Sequence, residues 1–147
     1  MHFEELKIMT NDRKFVIDVI EKRLIERNVS YVKLNYEGYT ELHFLEPTFK
    51  MKYLEEMSLV AEAVYNVYKP DKMNYELLGN GDSHIHWHLF PRYNGDLNEY
   101  GNNGKGPVWW LPKEEMWNSK FKPSTEELEI LTNQLKVEIE RLINKKR

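Results

Sequence analysis

The sequence predicts an α+β domain built on an antiparallel sheet. Two observations carry this. Segments of helical and of alternating periodicity follow one another as helix, strands, helix, hairpin, loop, helix. A Gly-rich turn joins the last two strands as an antiparallel hairpin. The 147 residues suit a single domain, 1–147, whose 41% hydrophobic content is ordinary for a globular protein.

The elements follow in order. Val16, Val19, Ile20 and Leu24 fall at helical spacing, which predicts a first helix over about Asp12 to Arg27, capped by Thr10 or Asn11. Val29 to Asn35 largely alternates apolar with polar residues, the pattern of a half-buried strand. Tyr36-Glu37-Gly38-Tyr39 reads as a turn, and Thr40 to Leu45 as a second strand. Pro47 and Thr48 open a helix with the stripe Leu54, Met57, Ala61, Val64 and Tyr68, and Pro70 closes it. Lys72 to Leu78 is predicted as a strand, Gly79-Asn80-Gly81-Asp82-Ser83 as a turn, and His84 to Phe90 as the returning strand. Tyr93 to Lys122 is a long loop rich in Asn, Gly and Pro; loops of this length inside compact domains are usually functional. Within it, Val108-Trp109-Trp110-Leu111 indicates packing against something. Residues 124–146 form the clearest helix, with a capping box at Ser124 and Glu127 and the stripe Leu128, Leu131, Leu135, Ile139 and Leu142.

Composition narrows the function classes. A formal net charge of −3 supplies no general basic field, so nucleic acid is not the expected partner. No cysteine is present, which removes disulfides, thiolate nucleophiles and Cys-ligated zinc. No apolar run is long enough to cross a bilayer, and the N-terminus lacks the apolar core of a signal peptide. The expected location is therefore the cytoplasm, with no membrane partner.

The sharp feature is His84-Ile85-His86-Trp87-His88-Leu89-Phe90. Alternate residues of a strand share a face, so the three imidazoles lie together and Ile85, Trp87 and Leu89 face the core. Four readings compete. The first is a polar sheet face that happens to carry histidines. The second is a metal site, since residues two apart on a strand stand ~6.6 Å apart and can share a zinc; no carboxylate sits among them, although Asp82 is close. The third is nucleophilic attack on phosphorus by a neutral imidazole, with the middle histidine flanked by groups that bind phosphate oxygens and move a proton. The fourth is a nucleotide-binding pocket without turnover. The pattern favours the third. The preceding turn adds to it, because Gly79, Gly81 and Ser83 can converge backbone N–H groups into an anion-binding nest. Asn74 and Glu76 share a face of the paired strand, and fall on the histidine side if Tyr75 and Leu77 face the core.

This strand resembles the signature of the histidine triad (HIT) family, in which three histidines alternate with apolar residues. Pro91-Arg92, followed by Gly95-Asp96, resembles the segment after the triad in the branch that hydrolyses dinucleoside polyphosphates, and Lys72-Met73-Asn74-Tyr75 resembles the strand before it. The specific likeness covers about Lys72 to Asp96, and the order of elements from Ser30 onward is similar too. The sequence departs at Glu37-Gly38-Tyr39, where the family often carries Pro-Gly and a nearby histidine; that histidine is unmatched unless His43 takes over its role.

The resemblance implies a HIT-like fold, an antiparallel sheet of about five strands with flanking helices, assembled as a homodimer. It implies a hydrolase that cleaves phosphoanhydride bonds of nucleotides such as diadenosine tetraphosphate through a covalent nucleotidyl-histidine on His86. His84 and His88 would orient the nucleophile and contact phosphate. Asn74 falls at an amide that contacts substrate, and Ser83 lies near a hydroxyl-bearing segment, while Gly81 and Ser83 are the candidate substrate-binding residues of the turn. No protein-bound metal or cofactor is required, though a substrate-bound Mg²⁺ could assist. Nucleoside phosphoramidase and nucleotidyl transferase activities stay open, as does a non-catalytic regulatory protein that binds nucleotide. One of the indoles of Trp109, Trp110 or Trp117 would cover the base or complete a neighbour's pocket, or else anchor the loop on the C-terminal helix.

Overall fold

A computed structural model describes residues 15–21, 30–36, 40–81, 83, 85–97, 102–110, 112, 114 and 124–145. Four strands, β1 (Phe15–Glu21), β2 (Ser30–Tyr36), β3 (Lys72–Glu76) and β4 (Ile85–Arg92), form a sheet among these residues in the order β1-β2-β4-β3. Every neighbouring pair is antiparallel. Two long helices, α1 (Pro47–Tyr68) and α2 (Thr125–Lys145), pack on each other, and α1 also packs on β4.

Two expectations are corrected. Phe15 to Glu21 is a strand and not part of a helix. The segment Phe-Val-Ile-Asp-Val-Ile is dense in β-branched and aromatic residues, which lose side-chain freedom in a helix and suit a pleated strand. Pairing along the whole of β2, from Phe15–Tyr36 to Glu21–Ser30, then decides the outcome. The spacing of Val16, Val19 and Ile20 matched a helix by coincidence. Likewise Leu42 to Phe44 forms one 3₁₀ turn and not a second strand. Both edges of β2 are already taken, by β1 and β4, so a strand returning from it has no ladder to join. The expected sheet of about five strands is thus four strands among the described residues.

α1 begins at Pro47, whose fixed φ suits the first helical position. It ends where Lys69 turns left-handed (φ 49°) and its N–H bonds the Tyr65 carbonyl, just before Pro70. Its buried arc is wider than the expected stripe. Tyr53, Leu59, Val60, Ala61, Ala63 and Val64 are buried, while Leu54, Met57 and Tyr68 are only partly so. The helix is covered on two sides, by the sheet and by α2, and Ala61 and Ala63 allow close approach. α2 contributes Leu135, Ile139 and Leu142 to the same core. It starts directly after Ser124, as a capping residue there requires; the side chains of Glu127, Leu128 and Leu131 lie outside the described residues. From the sheet come Met73, Ile85 and Leu89. The helices therefore cover one face, and the other face of β3 and β4 is left for the histidines.

The β3–β4 hairpin forms as expected, but β4 runs two residues past Phe90. Lys72 pairs with Arg92 and Met73 with Pro91, and the Asp71 N–H then bonds the Arg92 carbonyl. Asp82 and His84 lie outside the described residues.

Candidate active site

Strand alternation sorts β4 cleanly. Ile85 and Leu89 are buried in the core, and Trp87 meets Tyr53 of α1 with ring centroids 5.8 Å apart. His86, His88 and Phe90 occupy the opposite face. The His86 and His88 rings stand 4.9 Å apart, and His88 and Phe90 5.9 Å apart. The expected His84 would extend this row but is outside the described residues.

His86 is buried, at 4% exposure. It reaches the surface through a cleft of about 270 Å³ shared with His43, Gly79, Asn80 and Ser83. The turn before β4 thus lies beside the middle histidine. Gly79 has a φ of 74°, a left-handed conformation that suits glycine. Gly81 does not line this cleft; it is exposed, has no left-handed φ, and a side chain there would meet open space. His43, on the 3₁₀ turn before α1, brings a second imidazole to the cleft from a distant part of the chain.

Register places β3 against the other half of the histidine face. Glu76 stands opposite His88 and Asn74 opposite Phe90. Asn74 is therefore roughly 13 Å along the sheet from His86. It does not line the His86 cleft. It borders a separate cavity of about 380 Å³ with Lys72, Arg92, Asn94 and Lys105. There its side-chain oxygen accepts a hydrogen bond from Arg92 Nη1 at 3.1 Å.

Two residues have partners that the sequence did not show. The first is Arg92, buried at 7% exposure. Its Nε and Nη2 donate to the two oxygens of Asp96 at 2.7 and 3.0 Å, a forked ion pair. Its Nη1 and Nη2 also donate to the carbonyls of Gly106 and Gly104, at 2.8 and 3.0 Å. Asp96 itself is held by a tight turn, its carboxylate accepting from the Tyr93 N–H and its own N–H bonding the Tyr93 carbonyl, with Gly95 left-handed at φ 84°. The only sequence signal was the Pro-Arg and Gly-Asp pair after the histidines, which said nothing about partners.

The second is Trp109. Its indole lies against His88 and Phe90, with centroids 5.7 Å from each and edge-on to Phe90. Its Nε1–H donates to Glu76 Oε1 at 2.5 Å. Trp109 is therefore seated on the histidine face; Trp117 is outside the described residues. Burial pushes the Glu76 carboxyl above the usual carboxylate range, against the opposing pull of the Trp109 hydrogen bond and the Arg92 charge. Among the described residues, no three histidine, cysteine or carboxylate side chains are grouped to hold a metal ion.

Comparison with known proteins agrees with this architecture. Residues 33–95 match the family model of the HIT domain. A histidine triad protein from Marinobacter aquaeolei superposes with a TM-score of 0.63 at 26% identity, over 97% of both chains. A histidine triad protein from Bradyrhizobium japonicum gives 0.62 at 22% identity, over 83% of this chain and 91% of its own. One from Sinorhizobium meliloti gives 0.61 at 23%, over 88% and 98%. No curated protein sequence matches the chain. The fold is thus α+β and HIT-like. No helix among the described residues is long and apolar enough to cross a membrane.

Proposed function

We propose that this chain, with a HIT domain over residues 33–95, is a nucleotide hydrolase acting on phosphoanhydride bonds. Dinucleoside polyphosphates such as diadenosine tetraphosphate are its substrate class. The observation that carries the reading is a buried histidine, His86, with a neighbouring imidazole 4.9 Å away and a small polar cleft beside it, lined by His43, Asn80 and Ser83 and by one acid, Glu41.

A neutral His86 nitrogen attacks the α-phosphorus. The phosphorus–nitrogen bond forms as the bond to the leaving phosphate oxygen breaks, and a proton is delivered to that oxygen. The phosphorus–nitrogen bond joins a cationic imidazole to the nucleotide, so water cleaves it readily. A nucleoside monophosphate leaves and neutral His86 is restored. His88 and His84 contact phosphate oxygens and share the proton. Ser83, Asn80 and the backbone at Gly79 suit the anionic oxygens because they donate hydrogen bonds without bringing negative charge. The chemistry needs no protein-bound metal, and a Mg²⁺ carried by the substrate fits the same scheme.

Intact-protein mass spectrometry after mixing with diadenosine tetraphosphate tests this. Wild-type protein is expected to form product and an adduct of one nucleoside monophosphate, and His86→Ala to form neither. Tight nucleotide binding by both proteins without product would replace the hydrolase by a regulatory binder. Faster cleavage of a nucleoside phosphoramidate, or transfer to an added alcohol, would move the assignment to a phosphoramidase or a nucleotidyl transferase.

A cytoplasmic homodimer belongs to the same proposal. β3 ends the described sheet, and Tyr75 on it shares a shallow groove with Tyr65 and Met57 of α1. Sedimentation equilibrium at the mass of one chain would remove the dimer.

A further inference from the structure

We infer that residues 102–110 form a fixed wall over the third triad position, with Glu76 and Arg92 as its positioning residues. The inference rests on the hydrolase reading for its kinetic consequence, but its geometry stands apart from it.

Two independent anchors hold this segment. At one end, Arg92 donates to the carbonyls of Gly104 and Gly106 while Asp96 grips the same guanidinium. Asn103 (φ 57°) and Gly104 (φ 77°) take left-handed conformations that let the chain turn back at this point, which Asn and Gly tolerate best. At the other end, Glu76 accepts the Trp109 indole N–H. Across the two anchors, Trp110 lies directly on Gly106, where a β-carbon would come 2.1 Å from its ring. The indole of Trp109 rests against His88 and Phe90.

The consequence is a division of labour. The wall covers part of the His88 side of the histidine face, with Trp109 itself 37% exposed, and leaves the His86 side to the cleft. His88 is thereby held against a flat ring surface. Glu76 and Arg92 touch no reacting atom. They act by keeping the indole, and through it the His88 ring, in place.

Wild-type protein is compared with Glu76→Ala, Glu76→Gln, Arg92→Lys and Trp109→Phe by NMR of the histidine rings and by steady-state kinetics on diadenosine tetraphosphate. The Trp109 ring current makes the His88 signals a direct gauge of the wall. Glu76→Ala and Arg92→Lys are expected to displace those signals and to lower kcat roughly tenfold to hundredfold, with KM within about twofold. Glu76→Gln, whose amide oxygen still accepts from the indole, should restore both signals and kcat. Trp109→Phe keeps a ring but loses the donor, and should resemble Glu76→Ala. Folded Glu76→Ala and Arg92→Lys proteins with unchanged His88 signals and kcat would overturn the wall, as would a lowered Tm with neither readout moved. If the wild-type chain makes no product, the hydrolase reading fails, and the ring signals alone decide. Displacement in Glu76→Ala and recovery in Glu76→Gln would then uphold the wall, and constancy would overturn it.

Discussion

The two ends of β4 carry side chains on the same face of the same sheet, yet their surroundings differ. At the His86 end, the chain that returns is the 3₁₀ turn at Leu42–Phe44 and the Gly79–Ser83 turn, and between them a cleft of about 270 Å³ stays open. At the Arg92 end, the chain that returns is residues 102–110, held by three hydrogen bonds, from Arg92 to the Gly104 and Gly106 carbonyls and from Trp109 to Glu76, with Arg92 itself fixed by its buried ion pair to Asp96. The Arg92 end has a cavity of its own, of about 380 Å³ between Lys72, Asn94 and Lys105; what sets it apart is a returning segment tied to the sheet by side-chain hydrogen bonds. A rigid element beside an open one is what positioning a reacting group requires.

The largest expected break of this contrast is at the open end. His86→Ala should lower turnover of diadenosine tetraphosphate by about 10⁴-fold or more, since a lost nucleophile is not replaced by its neighbours; product formation and the trapped adduct are followed together. At the other end, Arg92→Ala leaves the Asp96 carboxylate buried without its partner. Such a loss costs about 3–5 kcal/mol, to be read from urea unfolding. Leu89→Ala attacks the core face of the same strand. It should cost about 2–5 kcal/mol from the cavity alone, while the folded fraction keeps its turnover per molecule. Ser83→Ala sharpens the comparison from the cleft side: the loss of one exposed hydroxyl should raise KM by the equivalent of about 1 kcal/mol and leave Tm unchanged.

The smallest effect lies away from both ends. Glu138 on α2 accepts hydrogen bonds from Arg141 and from Asn66 of α1. The Arg141 hydrogen bonds first, then the Asn66 bond and nearby positive charge, hold its carboxyl down at about 2, although desolvation opposes them. A depressed carboxylate stabilises the fold above its unfolded pKa and loses that contribution as pH falls through the folded value. The Tm difference between wild type and Glu138→Gln should therefore shrink as pH is lowered from about 5 to about 2. Glu76 runs the other way. Its raised carboxyl favours the fold at low pH and loses that advantage as pH rises.

The alternation in His84 to Phe90 was enough to assign faces to β4, because strand geometry leaves a side chain only two directions. The same logic put Glu76 on the histidine side. The α2 stripe was equally legible in Leu135, Ile139 and Leu142, since a long amphipathic period has few alternatives. Phe15 to Glu21 was misread because short apolar segments satisfy helical and strand spacing together, and a distant partner chooses between them. Thr40 to Leu45 failed for the related reason that a free sheet edge is invisible in sequence. The site residues divided the same way. His86 and Ser83 line one cleft because they are near in sequence, whereas Asn74 stands opposite Phe90 and bonds Arg92, a partner the sequence did not show.

By itself, then, the sequence determined the α+β class, the histidine row and its core-facing counterpart, and the two long helices. These depend on periodicity, which is local. The strand order, the His43 side of the cleft, the Arg92 clamp and the seat of Trp109 on His88 were decided only by tertiary structure. Each joins residues between 4 and 57 positions apart. Such contacts form only when the whole chain finds an arrangement that buries its apolar faces and satisfies its polar groups at once.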